Sequence, residues 1–235
     1  MELTSQRQIE VKRAAAIAVL FIGAAAARIF WANQARTLYG AEPLYAWLGS
    51  GVQFSPLYAG IAAFLTRVFE LFGLDRAHSL EIGTMFIYAV AGGLLVAPVY
   101  GIARRISNEA VSAGVGLAVV FYPVSLTILP GAAAMTEPLY LSLVASAWYF
   151  LLRSVDEGNV WFTALGGLLI GLAFLARTTA LPYMTLALGL LLFATWQLRR
   201  DRFAGSQVAT SALLALLVFV AVVSPYVARL YGLRL

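Results

Sequence analysis

The chain has 235 residues, of which 62% are hydrophobic and only 11% charged, with a mean hydropathy of +0.86. A soluble domain carries roughly 25% charged residues, so a water-soluble globule is excluded, and apolar runs of about 18 residues or more point to membrane helices rather than a barrel. The net charge of +5 is nearly all arginine, Lys12 being the only lysine, which speaks for anchoring at the cytoplasmic face and against nucleic-acid binding; with no cysteine, disulfides and cysteine metal sites are excluded too.

In chain order, basic residues at the start are followed by an apolar run that continues to Trp31. That run is long enough to cross, so it reads as an uncleaved first span rather than a signal peptide. Apolar runs near 14–33, 55–73, 82–103, 110–129, 136–152, 160–176, 180–198 and 207–228 give eight candidates. The basic clusters decide how many cross. They are Arg7/Lys12/Arg13, Arg104/Arg105, Arg153 and Arg199/Arg200/Arg202. Arginine and lysine near span ends prefer the cytoplasm. If all eight runs cross, Arg104/Arg105 and Arg199/Arg200/Arg202 fall outside; if 55–73 does not cross, every cluster falls inside.

Segment 55–73 therefore reads as an outer-face or re-entrant helix. It starts on Ser55-Pro56, a good helix opening, and carries Arg67 and Glu70 at a spacing that lets them pair. His78, in a short polar segment, reads as a surface residue rather than a ligand. The expected fold is an all-α integral membrane protein, one transmembrane domain over 1–235, with about seven transmembrane helices plus one outer-face juxtamembrane helix. Its N-terminus is cytoplasmic, its C-terminus extracytoplasmic, and its first outer loop covers about 34–81. The cytoplasmic connections are short, which puts any chemistry on the outer face.

The letters Glu-Pro-Leu-Tyr occur twice, at Glu42–Tyr45 and Glu137–Tyr140. Proline is tolerated in a first helical turn, and a carboxylate before it meets the positive end of the helix dipole. Glu42 and Glu137 thus read most simply as helix caps, Thr136 sharing the role. Topology admits a sharper reading, because both acids fall on the same face. Two carboxylates in a cleft can divide the work of accepting a proton and positioning an acceptor or cation. Arg177 interrupts two apolar runs on the same side and suits a phosphate or an interfacial anchor. Arg28, near the outer end of the first span, reads as an anchor. A divalent cation between the glutamates is the one cofactor to consider, but two acids without a histidine or third carboxylate make a weak metal site.

The ordered series is a first span, an acidic loop, Ser55-Pro56-Leu57-Tyr58, a span ending in Arg104-Arg105, then Thr136–Tyr140 and Leu175-Ala176-Arg177. This series resembles the membrane module of the GT-C glycosyltransferases, most closely the protein O-mannosyltransferases and the aminoarabinose transferases that modify lipid A. The resemblance runs over nearly the whole chain, roughly Ala14 to Gly232. It implies a polyprenyl-phosphate sugar as donor and membrane lipid as surroundings, with transfer on the extracytoplasmic side of a bacterial or archaeal plasma membrane.

Residue by residue, Ala41–Tyr45 stands at the family's Asp-Glu-x-x-Tyr, keeping Glu42 and Tyr45 but replacing the aspartate, the catalytic base, by alanine. Ser55–Tyr58 matches a Pro-Pro-Leu-Tyr element that opens a juxtamembrane helix, and Glu137 matches the second acidic position. Arg177 matches an arginine placed to meet the carrier phosphate, and Ser224–Gly232 resembles the end of the seventh span. Glu42 is then the surviving base and Glu137 the acceptor positioner or second acid, with Arg177, Tyr45 and Tyr58 binding substrate. Relatives continue beyond the seventh span, so the chain reads as a minimal module, a truncated relative or one subunit of a split enzyme.

Two other functions compete with catalysis. One is a non-catalytic carrier-binding or partner subunit of a membrane complex, with a second membrane protein beside it; Ala41 favours it. The other is a small transporter, which ranks last because no buried opposite-charge pair or broken mid-membrane helix stands out.

Overall fold

The computed structural model describes residues 2–39, 55–121, 133–177, 189 and 205–231. All regular structure among them is helical. The helices are α1 (Glu2–Tyr39), α2 (Pro56–Leu71), α3 (Arg76–Leu94), α4 (Val96–Ile106), α5 (Glu109–Phe121), α6 (Ala133–Glu157), α7 (Val160–Ala176) and α8 (Gly205–Leu230). Four stretches are long and apolar enough to cross a bilayer: Glu10–Phe30, Arg76–Ile106, Thr136–Glu157 and Thr210–Leu230. Glu109–Phe121 and Val160–Ala176 are apolar but shorter. The protein is thus an integral membrane protein with several apolar helices. The expected run at 180–198 lies outside the described residues, apart from 189.

Local chemistry sets the boundaries. The helix of 55–73 is 16 residues long, about 24 Å and short of a hydrocarbon core of roughly 30 Å. It ends at Gly73, whose φ of 85° lies in the region glycine enters freely. Asp75 then caps α3, accepting from the His78 amide at 3.5 Å. The α3–α4 junction falls where Pro98 cannot donate to the carbonyl of Leu94, four residues back. Gly158 (φ 66°) and the Asn159 cap, which accepts from Trp161 N at 3.0 Å, turn the chain from α6 into α7. Arg67 and Glu70 are not among the ion pairs of the described residues.

The chain forms two compact units. The first comprises Met1–Gly49 and Ile61–Pro138. Here α1 packs on α3, α4 and α5. Gly93 and Gly116 let it approach: an added Cβ would stand 2.8 Å from the Phe21 ring and 3.0 Å from Leu20. At one end of this unit Glu109 forms ion pairs with Arg13 Nε at 3.3 Å and Arg104 Nε at 3.0 Å and accepts a hydrogen bond from the Tyr100 hydroxyl. Arg13 and Arg104 therefore share one end of this unit.

The second unit comprises Ser50–Gly60 and Leu139–Leu235. Its core joins Ala147, Leu151 and Val155 of α6, Ile170 of α7, and Phe219 and Val223 of α8. Helices α7 and α8 meet through small residues, the usual solution where lipid leaves no hydrophobic drive between helices. A Cβ on Gly167 would come within 2.4 Å of the Ala215 carbonyl oxygen, and one on Gly171 within 2.9 Å of Val222.

Candidate functional site

Three of the motifs picked out in the sequence converge in the second unit. Tyr140, Ala173 and Ala176 form a buried cluster, with Leu57 packed against it. Leu57 comes from Ser55–Tyr58, Tyr140 from Thr136–Tyr140, and Ala176 from Leu175–Arg177. A hydrogen bond fixes two of them: Ser55 Oγ, 4% exposed, donates to the Ala176 carbonyl at 2.6 Å. The start of α2 is thereby held against the end of α7, beside Arg177.

This junction has a definite electrostatic character. Arg177 follows the last residue of α7 in extended backbone (φ −159°, ψ 119°), and its amide donates to Ala173 O at 2.8 Å. A helix C-terminus is the negative end of the dipole and by itself repels an anion. Arg177 itself is half-buried at this end. The N-terminus of α2 adds its positive dipole end at the same place.

Tyr58 stands three residues after Ser55, on the same face of α2, and is fully buried. Burial pushes its phenol well above the ordinary value, so it stays a neutral hydroxyl rather than a base. Glu137 is the fifth residue of α6, which begins at Ala133 and has no acid in its first turn. A cap would have to stand at the helix start, so Glu137 is not the cap that the simplest sequence reading made it. Its side chain is half-buried, next to a buried Thr136. Glu42 and Tyr45 lie outside the described residues.

Three residues escaped the sequence reading. Ser55 was legible only as a helix start, because its partner Ala176 is a backbone carbonyl with no signature. Glu81, in the second turn of α3, is a buried acid at 7% exposure. Arg28 is not an exposed anchor. It is 2% exposed, and its Nη1 and Nη2 donate to Ala24 O at 2.9 Å and Val119 O at 3.2 Å. His78 is exposed, as expected, and bonds the Asp75 carboxylate.

A family model described as dolichyl-phosphate-mannose-protein mannosyltransferase matches residues 53–225. The match includes Ser55, Tyr58, Glu137 and Arg177 and begins after Glu42 and Tyr45. No curated protein and no solved structure matches the chain.

Proposed function

The chain belongs to the dolichyl-phosphate-mannose-protein mannosyltransferase family, and we propose that it transfers a sugar from a polyprenyl-phosphate carrier to an acceptor hydroxyl on the extracytoplasmic face. The observation that carries the site assignment is the Ser55–Ala176 hydrogen bond, which holds the positive end of α2 beside Arg177. A carrier phosphate there meets a guanidinium and a helix N-terminus together.

Transfer proceeds as an inverting displacement. The acceptor oxygen bonds to the anomeric carbon while the bond from that carbon to the carrier phosphate breaks. The hydroxyl proton passes to Glu42, and the phosphate leaves with the bonding pair. Arg177 stabilises the charge that grows on that leaving group. Glu137 positions the acceptor, and Tyr45 and Tyr58 contribute to the sugar and phosphate site. Seven spans with a cytoplasmic N-terminus would place these residues on the outer side. The shared end of Arg13 and Arg104 supports that parity.

Ala41 favours a second reading, because it stands where the family motif carries an aspartate. In that reading the chain holds the carrier and a partner subunit supplies the base. The two readings part in one experiment on purified protein with radiolabelled polyprenyl-phosphate mannose. Arg177-dependent sugar release supports the transferase, whereas Arg177-dependent binding without release supports the carrier-binding subunit.

A further inference from the structure

We propose that the exposed face of α2 and the turn after it form a docking surface for a second copy of this chain, paired antiparallel about a two-fold axis with Arg67 of each copy on Glu70 of the other. This goes beyond the transferase reading and does not depend on it.

Ala62 and Thr66 are buried on the side of α2 turned to α3, where a Cβ on Gly83 would stand 3.2 Å from Leu65 Cβ and 3.6 Å from the Thr66 amide nitrogen. Helical spacing sends Ala63, Phe64, Arg67, Glu70 and Leu71 to the opposite side, and all five are exposed. Phe72 and Leu74 carry the apolar surface on into the turn. Phe64, Leu71 and Phe72 are 65%, 86% and 79% exposed. On the order of 400 Å² of apolar side chain per copy is thereby left uncovered. On a surface in contact with water, a patch of that size marks an interaction site.

Acyl chains do not cover this face. The stretch Arg76–Ile106 is 31 residues long, about 46 Å of helix against a hydrocarbon core of roughly 30 Å. A tilt of about 20° shortens its reach by only about 3 Å. The charged cluster of Arg13, Arg104 and Glu109 marks the Ile106 end as a membrane surface, so the excess length falls at Arg76. Asp75, Arg76 and His78 beside the turn are exposed as well, a setting for water and not for hydrocarbon.

The charges name the occupant. Arg67 and Glu70 have the spacing to pair within α2, yet neither joins an ion pair among the described residues. A face with one cation and one anion three residues apart complements its own image. In an antiparallel pair Arg67 meets the second copy's Glu70, and two-fold symmetry makes that contact twice. The same register sets Phe64 opposite the second copy's Gly73, between its Phe72 and Leu74. An added Cβ on Gly73 has nothing within 4 Å, so the place for the ring is open. Roughly 800 Å² for the two copies together is below a standard interface, so the dimer is weak and reversible.

The test uses two forms of the full chain with different fluorescent tags, reconstituted together in liposomes. Energy transfer between the tags is followed as the protein-to-lipid ratio is varied. Wild-type copies are expected to associate. Arg67→Glu and Glu70→Arg are each expected to weaken association about tenfold, because each turns two attractions into two repulsions. The double variant Arg67→Glu/Glu70→Arg is expected to associate as the wild type does, and Arg67→Glu copies to associate with Glu70→Arg copies. The chain has no cysteine, so Phe64→Cys in one form and Phe72→Cys in the other are expected to give an oxidative cross-link between the forms.

No association of the wild type, association indifferent to either reversal, or single variants that fail to complement each other overturns the proposal. Quenching of a fluorophore at Phe72→Cys by doxyl-labelled acyl chains puts the turn in lipid and overturns it too. If a single variant does not fold, the double variant decides: association supports the dimer, and its absence overturns it.

Discussion

The Ser55 hydroxyl and the Ala176 carbonyl, 121 residues apart, are held together at 2.6 Å in a buried setting. This bond joins two motifs that belong to different helices. Its first consequence is mechanical. We predict that Ser55→Ala lowers stability by about 1 kcal/mol, the net value of one such bond, with a further penalty from the stranded carbonyl. Thermal unfolding of the detergent-solubilised protein measures this, and Ser55→Thr is expected to recover part of it. An unchanged midpoint in Ser55→Ala would mean that the bond does not hold the junction.

The α7–α8 contact makes a second prediction through two glycines of opposite character. Gly167→Val drives a side chain into the Ala215 backbone and is expected to destabilise by about 2 kcal/mol or more. Gly114, exposed on α5, has nothing within 4 Å of an added Cβ. There Gly114→Ala is expected to be neutral or to stabilise by up to about 1 kcal/mol. Equal effects at the two positions would contradict the packing described for α7 and α8.

Much of this arrangement was readable from residue types. The helices at the first span, at Pro56–Leu71 and at Thr136–Glu157 follow from apolar run length and from serine and proline at a helix start. Partnerships with backbone carbonyls were not readable. Ala176 and Val119 accept through main-chain oxygens that every residue possesses, so nothing in the letters marks them. Arg28 illustrates this: its position near a span end suggested an anchor, whereas it turns inward beside Gly92 and donates to the Val119 carbonyl. Glu137 was misread as a cap because its proline suggested a helix start, whereas α6 begins four residues earlier.

A third prediction concerns pH at the short turn between α2 and α3, outside the membrane-spanning segments. The hydrogen bond from His78 holds the Asp75 carboxyl below the usual carboxylate range. A depressed carboxylate contributes stability above its unfolded value, about 3.9, and loses it as pH falls through the lower folded value. We expect His78→Gln to raise the Asp75 midpoint toward that ordinary value, read by NMR titration of the side-chain carboxyl. An Asp75 midpoint that does not move would show that His78 is not its controlling partner.

The acids and the arginine of the proposed site make a fourth. Glu137→Gln is expected to lower kcat at least about a hundredfold, the range for a positioned acid or base, with carrier binding retained. Glu42→Gln is expected to do the same if Glu42 takes the acceptor proton. Wild-type rates in Glu137→Gln would remove that residue from the mechanism.

The most direct test is the binding and turnover of radiolabelled polyprenyl-phosphate mannose by purified wild-type protein beside Arg177→Ala and Arg177→Lys. We predict sugar release by the wild type, its loss in Arg177→Ala together with weakened carrier binding, and partial recovery in Arg177→Lys. Undiminished binding and release in Arg177→Ala would contradict a phosphate site at the junction of α2 and α7.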